Sequence, residues 1–113
     1  MAKNPPKEVG LMRKFVSTAR SVVTGQVGLP LGILRLERNL FWLREYDVNP
    51  LTSDERKVIK AYHGRIIEFP IEEERLAWAP DKLAELDERL ERITAKYRSQ
   101  LMEILNRIVA EAA

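Results

Sequence analysis

From Asp81 to Ala113 the sequence contains neither proline nor glycine, and Leu83, Leu86, Leu90, Ile93, Tyr97, Leu101, Ile104 and Ile108 follow one another at intervals of three or four residues. Those intervals average close to one helical turn. The apolar stripe therefore runs along one side of a single helix without imposing a left-handed supercoil. Pro80 suits the first turn of such a helix, and Asp81 complements the positive end of its dipole. Glu85 with Arg89 and Glu88 with Arg92 stand in the favourable i,i+4 order, each pair worth roughly a few tenths of a kcal/mol. A helix over about 80–110 would be a rod of about 50 Å, and the rest of the chain must be arranged around it.

Three shorter helices are predicted ahead of the rod. The first, about Glu8 to Val23, has Leu11, Met12, Phe15, Val16, Ala19, Val22 and Val23 on one face and Arg13, Lys14, Ser17, Arg20 and Ser21 on the other. A glycine-bearing turn, Thr24 to Gly32, follows; it lacks the preceding strand and the Lys-Ser/Thr pair of a phosphate loop and reads as a helix-to-helix connection. The second helix, about Leu31 to Tyr46, is the most apolar. At 100° per residue, Ile33, Leu36, Leu40 and Leu43 form one stripe, Leu34 and Phe41 a second, and Trp42 with Tyr46 a third, so it needs cover on several sides. Asn49-Pro50 is expected to close it. Thr52 and Glu55 have capping-box spacing, which predicts a third helix from Ser53 to about Glu68, with Val58, Ile59, Tyr62, Ile66 and Ile67 inward and a close contact or bend at Gly64. Residues 71–79 read as a linker that makes one helical turn. Pro5 and Pro6 make residues 1–7 an arm. The expected organisation is one all-α domain: an arm at 1–7, a three-helix region with linker at 8–79, and a long helix at 80–113.

With 45% hydrophobic and 32% charged residues, the composition is that of a folded helical bundle or coiled coil rather than a disordered chain. No apolar run approaches the ~18 residues of a membrane span. There is no cysteine, so disulfides and thiolate chemistry are excluded, and the single histidine, His63, has no second titratable group at a defined spacing. Glu68 and Glu72 to Glu74 read as solvated acids. We therefore expect no catalytic residues, no metal and no cofactor, and a cytoplasmic protein. The basic, Ser- and Thr-bearing stretch between Lys3 and Arg35, whose only acid is Glu8, resembles a mitochondrial presequence in composition, although Pro5, Pro6 and Glu8 are atypical of one.

Two functions from different classes are consistent with these features. Three helices of about 24 Å cannot cover a 50 Å stripe. The uncovered part predicts a helical interaction or assembly protein that forms a homo-oligomer or docks a helical partner through Leu86, Leu90, Ile93, Tyr97, Leu101, Ile104 and Ile108, joined by Phe41 and Trp42 of the second helix. The alternative follows from charge. Residues 1–50 carry eight Lys and Arg against four acids, whereas 51–113 carry eleven against thirteen. Arg13, Lys14 and Arg20 with Arg35 and Arg38 are candidate contacts for an anion or nucleic acid in a small nucleic-acid-binding regulator. Peripheral contact with an anionic membrane draws on the same basic helix, with Met12 and Phe15 as inserting residues. Whether Arg13, Arg20, Arg35 and Arg38 share one exposed patch discriminates between charge-based binding and assembly.

Overall fold

The computed structural model describes residues 7–112. Within them are four α-helices, α1 (Lys7–Val23), α2 (Leu29–Arg44), α3 (Ser53–Ile66) and α4 (Pro80–Glu111), a 3-10 turn at Glu73–Ala77, and no strand. The chain is all-α, as predicted. The arm lies outside the described residues except for Lys7, which opens α1.

Each helix ends where the backbone finds another way to satisfy its terminal groups. Gly25, at φ 81°, turns the chain out of α1, and the amides of Gln26 and Val27 both donate to the Ser21 carbonyl at 2.9 and 3.0 Å. That is a glycine-stopped C-terminus. At the end of α2, Asp47 adopts φ 57° and the Val48 amide donates back to the Leu43 carbonyl at 3.1 Å. The helix therefore stops at Arg44, two residues short of Tyr46, and Asn49-Pro50 follows the stop rather than causing it. α3 starts on the expected capping box: the Glu55 amide donates to Thr52 Oγ1 at 3.2 Å and the Thr52 amide donates to Glu55 Oε1 at 2.9 Å. It ends at Ile66, earlier than Glu68, and Gly64 faces open space, so the expected close contact at that glycine is absent. α4 runs unbroken for 32 residues, including the 97–101 segment where its stripe stutters.

α1 and α2 form a helical hairpin, and α4 packs on α1 and on α3. The hairpin packs tightly at Gly32: a Cβ there would lie 2.2 Å from a methyl of buried Val22, so a larger residue would force the Val22 side chain to shift. α3 runs antiparallel to α4, pairing Glu55 with Arg107 near one end and Tyr62 with Thr94 towards the other. Phe15, Ala19, Ile33, Leu36, Leu43, Ile59, Tyr62, Ile66, Leu101 and Leu105 are completely enclosed between these helices.

This packing corrects the expectation that the short helices must leave the C-terminal stripe bare. α1 and α3 pack on α2 and α4 rather than chiefly on each other, so two helices cover α4, and Leu90, Leu101, Ile104, Leu105 and Ile108 are all buried within the chain. The sparsely covered part is the other end. There the linker replaces a helix: Arg75 donates two hydrogen bonds to Asp87 at 2.7 and 2.8 Å and a third to the Pro70 carbonyl at 3.1 Å. Leu83 and Leu86 remain partly exposed. The molecule is 56 Å along its longest axis and 30 and 25 Å along the others, the long dimension matching the roughly 48 Å expected of α4 alone.

Candidate functional site

The basic face of α1 and one edge of α2 meet along the outside of the hairpin. Asn39 of α2 donates to Thr18 Oγ1 of α1 at 3.3 Å, and that hydroxyl donates in turn to the Lys14 carbonyl at 2.8 Å. Thr18 and Asn39 are among the residues lining a recess of about 510 Å³, with Arg13, Lys14, Ser17, Arg35 and Arg38. Four of the five cations singled out in the sequence are thus in one place, and none of the seven lining residues is acidic. All four are exposed at the rim. Helix periodicity explains the gathering on each side: Arg13 and Ser17 lie one turn apart on α1, with Lys14 beside them, and Arg35, Arg38 and Asn39 occupy adjacent turns of α2.

Arg13, Lys14 and Arg35 form no ion pair among the described residues. Arg38 does, donating to Glu72 Oε1 at 2.6 Å at the border of the groove. Glu72 belongs to the acidic linker, and its pairing with a residue 34 positions earlier has no local sequence signal. Arg20, the fifth candidate, is exposed but does not line the groove. It lies two turns from Arg13, and both border a neighbouring recess of about 470 Å³ walled by Val9, Met12, Val16 and Val48. Of Arg13, Arg20, Arg35 and Arg38, three line one recess together with Lys14, and Arg20 lies outside it.

The predicted interface residues divide into three groups. Leu90, Leu101, Ile104 and Ile108 are core residues covered by the chain itself rather than left in water as expected. Leu86, Ile93 and Tyr97 are partly exposed, the Tyr97 ring resting 5.4 Å from that of Tyr62. Phe41 and Trp42 are 53% and 56% exposed, with ring centroids 5.3 Å apart and planes at 86°. Tyr46, Ile67, Leu76 and Trp78 are also open to solvent, Leu76 almost entirely. Phe41 and Ile67 share a recess with Leu34, His63, Arg38, Arg44 and three carboxylates, Glu37, Glu72 and Glu74, a mixed-charge setting unlike the acid-free α1–α2 groove.

Among the described residues there is no group of three or more His, Asp or Glu that could hold a metal ion. No helix there is long and apolar enough to cross a membrane. The most strongly held carboxylates, Glu55 with Arg107 and Asp87 with Arg75, lie on α4 and its neighbours, away from the groove lining, and brace the fold. No protein-family model, curated protein or solved structure matches the chain.

Proposed function

We propose that this is a non-catalytic binding protein whose α1–α2 groove engages the phosphate backbone of a nucleic acid. The observation that carries the reading is the convergence of Arg13, Lys14, Arg35 and Arg38 on one recess with no acid in its lining, in a chain whose overall charge is only +2. A positive groove concentrates polyanions even where the whole molecule is nearly neutral. Guanidinium groups are the side chains best suited to phosphate oxygens, because their planar fork donates two parallel hydrogen bonds. Ser17 adds a neutral donor on the same wall. A binding isotherm measured against salt tests this. Three or four phosphate contacts give a log–log salt slope of about −2 to −4, and the double reversal Arg13→Glu with Arg35→Glu flattens the slope and weakens binding. A helical, folded protein that binds no nucleic acid at 50 mM salt or below disproves the reading.

A second reading rests on a separate observation. Phe41, Ile67, Leu76 and Trp78 leave apolar surface bare around the α2–α3 end and the linker. That surface, together with the partly exposed Leu86, Ile93 and Tyr97 of α4, supports self-association as the assembly reading. Sedimentation equilibrium of the native chain and of Ile67→Glu with Leu76→Glu tests it: a monomer in both cases ends it.

A further inference from the structure

The face of α2 that carries Arg35 and Arg38 does not stop at the groove. Trp42 follows Arg38 by four residues and Arg35 by seven, so at 100° per residue all three fall within about 60° of one another on the helix surface. The indole stands one turn, about 6 Å, beyond Arg38 along the axis. It is more than half in water, and the Phe41 ring packs against it in a T-shaped pair. An exposed aromatic ring on the same helix face as groove-lining cations is the pairing that single-strand binding surfaces use: phosphates track the charges and a base stacks on the ring.

We propose that the groove takes single-stranded nucleic acid, with the strand's phosphates along Arg13, Lys14, Arg35 and Arg38 and one base stacked on Trp42. This inference rests on the nucleic-acid reading above and narrows it. The phosphates of either a single strand or a duplex can lie along the cations, so the choice between them falls to the exposed indole. A duplex keeps its bases inside, out of reach of Trp42. An anionic membrane surface is a poorer match because, of the two residues expected to insert, Phe15 is fully buried in the core and Met12 is half-buried against it. Glu72 occupies Arg38 with a carboxylate in the free protein, so an incoming phosphate replaces it, and the acidic linker competes with the ligand.

The test uses the full chain carrying Trp78→Phe, so that Trp42 is the only indole. Its partners are a labelled 15-nucleotide thymidine strand, the matching duplex, inorganic polyphosphate, and vesicles of phosphatidylcholine with phosphatidylserine. The single strand is expected to quench Trp42 fluorescence and to bind more tightly than the duplex. Trp42→Ala weakens that binding about 5- to 100-fold while leaving polyphosphate binding unchanged, and Trp42→Phe restores most of it. Glu72→Gln tightens binding to the single strand and to polyphosphate alike. Because Trp42 is exposed, Trp42→Ala empties no core, and an unchanged far-UV circular dichroism spectrum verifies the fold. Unquenched fluorescence, or equal binding by Trp42→Ala, overturns the stacking inference even if binding sensitive to Arg35→Glu shows that the groove still takes nucleic acid. Binding to vesicles alone, or to no polyanion, overturns both.

Discussion

Tyr62 and Thr94 face each other inside the bundle, their hydroxyl oxygens 2.7 Å apart and both side chains essentially sealed from water. The two ends of that bond are not equivalent. Thr94 lies within a helix, where its hydroxyl can turn to the carbonyl one turn back, whereas the phenol of Tyr62 has no such local substitute. Thr94→Val should therefore cost more, about 2–3 kcal/mol in urea unfolding, than Tyr62→Phe, at about 1 kcal/mol. Burial pushes the Tyr62 phenol up to about 12 from 10, against the smaller opposing effect of the Thr94 bond. A group raised in the folded state adds stability that is complete below the unfolded value and is lost as pH climbs through the folded one. Alkaline titration should thus destabilise the protein between pH 10 and about 12, and Tyr62→Phe should flatten that loss. Glu55 behaves in the opposite sense. Burial pushes its carboxyl up, but the hydrogen bonds from Arg107 and the Thr52 amide and the charge of Arg107 together outweigh burial and hold it below its ordinary 4.5. That stability is present above pH 4.5 and disappears as pH falls through the lowered value. Glu55→Gln should cost about 1–2 kcal/mol at pH 7 and progressively less in acid, as thermal melts across pH 2–7 would show.

At the scale of the helices, two glycines with the same intrinsic cost to a helix have opposite roles. Gly32 faces α1, and the methyl that alanine would add there meets the branched side chain of Val22, itself buried and short of room to rotate. Gly32→Ala should destabilise by about 1–3 kcal/mol, and adding Val22→Ala should recover part of that loss, giving a measurable coupling in a double-mutant cycle. Additive effects would show that the hairpin is not pinned there. Gly64 has nothing near the corresponding position and lies exposed in α3. Gly64→Ala should stabilise by about 0.5–1 kcal/mol, since it reduces the freedom of the unfolded chain without a clash. Chemical denaturation of both variants separates a glycine that packing requires from one that it does not.

For the molecule as a whole, the long helix is a spine whose C-terminal part is buried by the chain's own α1 and α3. Ile104→Glu and Ile108→Glu should therefore reduce unfolding stability by more than about 3 kcal/mol at any protein concentration, because each places a charge in the core. Concentration-dependent melting that the substitutions abolish, with the monomer intact, would instead return the stripe to an intermolecular role.

Much of this was legible in the sequence because it depends on near neighbours. Absence of Pro and Gly after Pro80 and a three-four apolar repeat are enough for α4, and Thr52 with Glu55 is enough for the start of α3, since helix propagation and capping are decided within a few residues. The rotational gathering of Arg35, Arg38 and Trp42 on one side of α2 could be read off the helical period in the same way. Four things had to wait for tertiary structure: that α1 and α3 both lie on the C-terminal part of α4, that Gly32 and not Gly64 is the packing glycine, that the cations of two helices share one groove, and that Glu72 reaches Arg38. Each is a meeting of residues far apart in the chain, and helical periodicity says which face a residue occupies but not which other face it will find. That choice is made by the joint burial of all the apolar faces at once, a property of the assembled core and not of any one segment.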